Sequence, residues 1–115
     1  MHAPELFKAM SDPTRLRCLS LLVSADELCV CELTYALALP QPRVSHHLAA
    51  LRKSALVSDR KVGLWIYYRL NPELSPWIVE VIRTTAQGIS AQEPYAGDLR
   101  TLSEMPDRPG SACVA

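Results

Sequence analysis

The chain has 115 residues, 49% of them hydrophobic and 21% charged, enough for one small domain with a modest core. Its net charge is zero, but residues 41–71 carry six Lys or Arg against one Asp or Glu, so the middle of the chain is basic. No run of 18 apolar residues occurs, and Lys8, Asp12 and Arg15 interrupt the N-terminal apolar pattern. We therefore expect neither a membrane span nor a signal peptide, and a cytoplasmic location.

The first half of the chain is predicted to be helical. Residues 3–10 indicate a short helix, and Ser11-Asp12-Pro13 supplies its stop and the N-cap of a second helix over about 13–23. A third helix is expected to begin near residues 28–30 and to end near 39–40, because proline disfavours helix in the residue before it.

A fourth helix is predicted from Gln41 through Lys53. Its apolar residues Val44, Leu48 and Leu51 fall on one face, whereas its polar residues lie largely elsewhere. The third and fourth helices are then joined by a tight turn of about three residues, as in a helix-turn-helix.

The rest of the domain is predicted to be a β-hairpin and one more helix. Residues 57–70 are rich in β-branched and aromatic side chains around Gly63, which indicates a hairpin with a basic tip. Residues 73–89 indicate a helix whose apolar surface, including Trp77, suggests a dimer seam. We assign residues 1–92 to the domain and predict that 93–115 form a flexible tail.

The order of these elements is that of a winged helix-turn-helix, a mainly α fold with a β-hairpin, in which the second helix enters the major groove of double-stranded DNA. The groove-facing side chains would be Gln41, Arg43, Ser45, His46 and His47. Phosphate contacts would come from Arg52, Lys53, Arg60 and Lys61.

The alternative is that these charges form only a solvated surface of the domain. It is less favoured because the basic segment coincides with the predicted recognition helix and the predicted hairpin. A metal site on the adjacent histidines is also less favoured, because helix neighbours point about 100° apart.

The four cysteines are Cys18, Cys29, Cys31 and Cys113. In a cytosolic chain they are thiols or metal ligands rather than disulfides. Cys18 falls where a small apolar residue would pack in the core. On a regular helix Cys29 and Cys31 would point about 200° apart, so we expect that the first turn must unwind before one ion binds both.

The segments DPTRLR, ELCVCEL, QPRVSHHLAALRKSALV and DRKVGLWIYYRL resemble the arsenical-resistance repressors of the ArsR/SmtB family over about residues 5–85. The resemblance implies a homodimeric repressor that leaves its operator palindrome when trivalent arsenic or antimony binds cysteine thiolates. Cys29 and Cys31 match the family's Cys-Val-Cys pair. Where the closest family pattern has a third cysteine this chain has Thr34, so Cys113 is our candidate third metal ligand; an idle thiol is the alternative.

Other classes of function remain open at this point. The thiols could sense oxidation, or cadmium or lead, although the relatives that sense those ions add cysteines from an extended N-terminal arm. A thiol-exchange enzyme is disfavoured because no partner base lies near the thiols in the sequence. A winged helix that only binds proteins is a further alternative. We expect no catalytic residue and no catalytic cofactor.

Overall fold

The computed structural model describes residues 1–108, which form six helices and three strands. In chain order these are α1 (Ala3–Met10), α2 (Pro13–Ser24), β1 (Leu28–Cys29), α3 (Val30–Leu37), α4 (Gln41–Lys53), β2 (Val57–Val62), β3 (Trp65–Leu70), α5 (Pro76–Ile89) and α6 (Tyr95–Ser103). The predicted winged helix-turn-helix is confirmed. No helix among these residues is long and apolar enough to cross a membrane.

Helices α3 and α4 form the helix-turn-helix. Helix α3 ends at Leu37 and is capped by Ala38, which adopts left-handed backbone angles and donates its N–H to the carbonyl oxygen of Thr34 at 3.0 Å. Three residues, 38–40, separate the two helices, as predicted. The predicted inner face of α4 is also confirmed, because Val44, Leu48 and Leu51 are fully buried.

The wing is the hairpin of β2 and β3. Val62 pairs with Trp65 across a two-residue turn, and Gly63 has φ +59, the conformation that glycine adopts most readily at the first position of such turns. Strand β1 was not predicted, because two residues are too few to show an alternating pattern. It pairs antiparallel with β3 and sets Cys29 opposite Tyr67, so the wing is joined to the start of α3.

The segment after α5 differs from the predicted flexible tail. Residues 95–103 form α6, which packs against α2 and α3 and buries Leu102 and Asp98. The Arg17 guanidinium donates to both carboxylate oxygens of Asp98, at 2.7 and 2.8 Å, and to the carbonyl oxygen of Leu37 at 3.0 Å. Leu102 and this ion pair join α6 to the rest of the domain, although the segment has a low apolar content. Residues 109–115, including Cys113, lie outside the described part of the chain.

Candidate metal centre and DNA-binding surface

Cys29 and Cys31 bring their sulfur atoms together at the start of α3. The two Sγ atoms are 3.0 Å apart, and the Cys31 thiol donates a hydrogen bond to the Cys29 sulfur. Cys29 is the N-cap, with extended angles φ −72 and ψ 152, and therefore does not follow helical geometry. With metal–sulfur bonds of about 2.3 Å, two thiolates on one tetrahedral ion lie about 3.8 Å apart. The predicted need to unwind the helix is therefore wrong, because a sub-ångström adjustment suffices.

A buried carboxylate fixes the backbone beside the thiols. One oxygen of Glu32 accepts the backbone N–H of Cys29 at 2.9 Å, as in a capping box. The other accepts Nε of Arg108 at 2.7 Å, and Glu32 is only 1% exposed. Glu32 thus connects the Cys29 backbone to the segment that follows α6.

The environment of Cys31 keeps its thiol protonated at neutral pH. Burial, the hydrogen bond to Cys29 and the nearby Glu32 carboxylate raise the pKa of the Cys31 thiol to about 12. Binding of a soft ion therefore displaces a proton. Burial also raises the pKa of Cys18 to about 12, and this residue is fully enclosed in the core, which confirms its predicted packing role.

A cavity of about 630 Å³ opens beside the two cysteines. Its walls come from the start of α3, the N-terminal half of α4, the tip of the wing and Met105. Thr34 lines it as well, and the Thr34 hydroxyl is buried without a hydrogen-bond partner among residues 1–108. Within residues 1–108 no three His, Cys, Asp or Glu side chains cluster closely enough to hold a metal ion. The thiol pair thus borders a largely apolar space.

Helix α4 presents three of the five predicted groove-facing side chains to solvent: Gln41, Arg43 and His46. Ser45 is half-buried and lines the cavity. The structure corrects the prediction for His47, which turns back toward α2 and lies with Nδ1 3.6 Å from a carboxylate oxygen of Asp12. Burial lowers the pKa of His47, outweighing the attraction of Asp12, so its imidazole is neutral at pH 7.

Two of the four predicted phosphate-binding side chains form ion pairs. Arg52 donates to Asp59 at 3.0 Å. Arg60 donates twice to Glu27 at 2.6 Å and lies over the ring of Tyr67, with its central carbon 5.2 Å from the centroid. The other two, Lys53 and Lys61, are exposed. The Arg52–Asp59 pair has a single hydrogen bond and is partly exposed, so it is weak, whereas the bidentate Arg60–Glu27 pair would have to open before Arg60 could contact phosphate.

The comparisons with known proteins agree with this arrangement. Residues 12–59 match the model of the arsR family of bacterial regulatory proteins. Over 92% of its length the chain is 46% identical to the arsenic resistance transcriptional regulator ArsR2 of Pseudomonas putida KT2440, of which it covers 90%.

Two solved structures share the fold. The transcriptional repressor BigR from Xylella fastidiosa superposes with a TM-score of 0.65 at 30% identity, over 77% of this chain and 87% of that one. The antimony-specific transcriptional repressor AntR superposes with a TM-score of 0.63 at 28% identity, over 74% of each chain.

Proposed function

Because the chain belongs to the ArsR family of bacterial regulatory proteins, we propose that it is a cytoplasmic homodimeric repressor that leaves its operator when As(III) or Sb(III) binds Cys29, Cys31 and Cys113. The main support is the 3.0 Å separation of the first two sulfur atoms at the N-cap of α3. Soft ions select thiolate ligands over oxygen and nitrogen. Regulators named for arsenic and antimony are among its relatives and structural neighbours.

Cys113 is the proposed third ligand because the chain before it is anchored beside the thiols. Arg108 is hydrogen-bonded to Glu32, whose other oxygen holds the backbone of Cys29. Cys113 lies five positions after Arg108, and an extended chain spans about 3.3–3.6 Å per residue, so its thiol is within reach of the pair. The other remaining cysteine, Cys18, is enclosed in the core.

The position of the thiols couples inducer binding to the elements that contact DNA. Cys29 pairs with Tyr67 of the wing strand, and it also caps α3, which packs against the recognition helix α4. An ion held between the sulfur atoms therefore acts at the N-cap of α3, where an adjustment of less than an ångström is passed to both DNA-contacting elements. Differences of about 1–3 kcal/mol between the two states suffice for such coupling.

The proposed dimer uses α1 and α5. Phe7 on α1 is 54% exposed and Trp77 on α5 is 47% exposed, although both are large and apolar. A second copy would cover them, whereas Ile78 and Ile82 of α5 are already buried within one protomer. A two-fold dimer places its recognition helices about 34–36 Å apart, one turn of DNA.

Replacing Arg43 by alanine tests the DNA-binding surface. Arg43 is exposed on α4, where its guanidinium can reach guanine edges. We expect a loss of about 1–3 kcal/mol of specific binding, measured by fluorescence anisotropy on the DNA upstream of the chain's own coding sequence. Arg100→Ala, which removes the same charge from the exposed side of α6, is the control and should change little. Equal losses in the two variants would contradict a specific role for Arg43.

A cysteine at position 34 tests the third ligand. Cys113→Ser should raise the arsenite concentration needed for operator release about 100-fold, because it removes a tethered ligand. Thr34 lies one turn after Cys31 on α3 and lines the same cavity. We expect Thr34→Cys in the Cys113→Ser background to restore release to within about tenfold of the wild type. Wild-type sensitivity in Cys113→Ser alone would contradict the proposed role of Cys113.

Oxidation sensing is the second candidate, because two sulfur atoms 3.0 Å apart need to approach by only about 1 Å to reach the S–S bond length of a disulfide. Peroxide would then release operator DNA in the absence of any metalloid. An operator-release titration with cadmium or lead tests whether soft divalent ions act instead of the metalloid. Release by arsenite in fully reduced protein, with no response to peroxide, favours the metalloid.

A further inference from the structure

We propose that Leu64, at the tip of the wing, is an apolar wedge that enters the minor groove of operator DNA and partly unstacks a base step there. This role rests on the operator binding of the proposed function and not on its inducer. It gives one leucine a part in the choice of DNA sequence that the recognition helix does not supply. The exposure of the tip, the charges around it and its place beside α4 support it.

The tip of the wing exposes an apolar patch. Among residues 1–108, Leu64 is the large apolar side chain most open to water, at 98%. Val62, Trp65 and Ile66 beside it are exposed as well. Single exposed apolar residues are ordinary on protein surfaces, whereas four of them around one turn form a patch of the kind that contacts a partner.

The geometry of the turn does not require a leucine. Gly63 has φ +59 and supplies the conformation that the two-residue turn needs at its first position. After such a glycine the second position commonly holds Asn, Asp or Ser, whose side chains water solvates well. Leu64 offers the turn no hydrogen bond, and its exposure leaves it little packing within the domain. A binding partner therefore explains this residue better than the fold does.

The charges around the tip match a nucleic acid. Residues 60–66 contain two cations and no carboxylate. Lys61 is exposed two positions before Gly63, whereas Arg60 is held by Glu27. Lys61 can thus contact a phosphate at the edge of a groove while the apolar tip lies inside it. An apolar tip with a cation beside it favours DNA over a second copy of the chain.

The tip also lies beside the recognition helix. Leu64 and Trp65 line the same cavity as Gln41 and Ser45 of α4. With α4 in the major groove, a hairpin tip beside it faces the adjacent minor groove. That groove is about 6 Å wide and about 7.5 Å deep. A two-residue turn with one projecting side chain can enter it, whereas a helix cannot.

The chemistry of leucine determines what it can do in the groove. Leucine has no hydrogen-bonding group with which to read base edges. Apolar side chains that enter the minor groove insert at a base step instead, unstack it and bend the duplex. Pyrimidine–purine steps such as TA unstack most easily. Leu64 should therefore make the protein prefer a flexible step where the wing lies.

The test uses the full-length protein and the DNA upstream of its own coding sequence, in which 2-aminopurine replaces each adenine in turn. The fluorescence of 2-aminopurine rises when it is unstacked. We expect wild type and Leu64→Met to brighten the same flanking position. Leu64→Asn has a similar size and suits the turn, but it should abolish the signal and weaken binding about tenfold. Lys61→Ala, the control, should lower the salt dependence of binding and keep the signal.

A change in the DNA tests the same contact from the other side. Replacing the brightened step by a stiff AA step should weaken wild-type binding about tenfold and leave Leu64→Asn unchanged. Wild-type fluorescence and affinity in Leu64→Asn would overturn the wedge, as would a loss of dimer, measured by sedimentation, that accounts for its weaker binding. If arsenite fails to release a wild type that shows the signal, the proposed inducer fails and the wedge stands. Wild-type protein that does not bind this DNA would defeat both.

Discussion

Replacing Cys31 by serine is expected to raise the arsenite concentration for half-maximal operator release about 100-fold, because the remaining sulfur loses a partner tethered beside it. The two sulfur atoms are 3.0 Å apart before any ion binds, so little reorganisation accompanies chelation in the wild type. Operator affinity without arsenite should be retained, since Cys31 lies outside the exposed face of α4. Cys29→Ser should behave in the same way. The measurement is an arsenite titration of the protein–DNA complex by fluorescence anisotropy.

Cys18→Ala is the matched control for that experiment. Cys18 is the same residue type in the same chain, but it is fully buried in the core. The variant should lose some stability through a small cavity and keep the wild-type response to arsenite. A Cys18→Ala variant that folds but no longer responds would contradict the assignment of the site to Cys29 and Cys31.

Replacing Arg17 by methionine is expected to lower the free energy of unfolding by about 3 kcal/mol. The substitution leaves the Asp98 carboxylate, whose side chain is 7% exposed, without its charged partner. It also removes the donor to the carbonyl oxygen of Leu37. Because Asp98 belongs to α6, that helix should become more accessible to protease. Urea unfolding at a fixed protomer concentration measures the change.

Two further variants separate the effect of burial on stability from the effect of losing a charge. Arg100 and Glu93 form an ion pair at 3.0 Å whose side chains are 65% and 62% exposed, so Arg100→Met should cost less than about 1 kcal/mol. Arg17→Met combined with Asp98→Leu removes both buried charges and should recover most of the lost stability. A cost for Arg17→Met as small as that of Arg100→Met would contradict the proposed role of the buried pair in holding α6.

The hairpin and most helices could be predicted because local sequence determines them. Periodicity located the buried face of α4, and Gly63 marked the wing turn, since both signals lie within one element. Helix α6 could not be predicted in this way. Its docking depends on one buried leucine and on Asp98, whose partner Arg17 lies 81 positions earlier in the chain. Composition alone therefore indicated a flexible segment where a long-range ion pair holds a helix.

The sequence predicted which two cysteines form the thiol pair, but it did not predict that their sulfur atoms are in contact. A projection that places both cysteines on one helix separates their sulfur atoms. In the structure Cys29 belongs to β1 and only Cys31 lies on α3, so that projection does not apply. The spacing of Cys29 and Glu32 matches a capping box with cysteine in place of serine, and this signal could have placed Cys29 at the N-cap. Nothing local indicated that His47 would face Asp12, or that Arg108 would reach Glu32, because both contacts join separate elements.

The most direct test of the account is an arsenite titration of the reduced, full-length protein bound to the DNA upstream of its own coding sequence. Fluorescence anisotropy reports the bound fraction, and antimonite serves as the second ligand. If Cys29 and Cys31 bind the inducer, either ion releases the DNA at concentrations that leave Cys29→Ser and Cys31→Ser bound. Wild-type protein that binds this DNA tightly and stays bound at arsenite concentrations sufficient to occupy its thiols would contradict it.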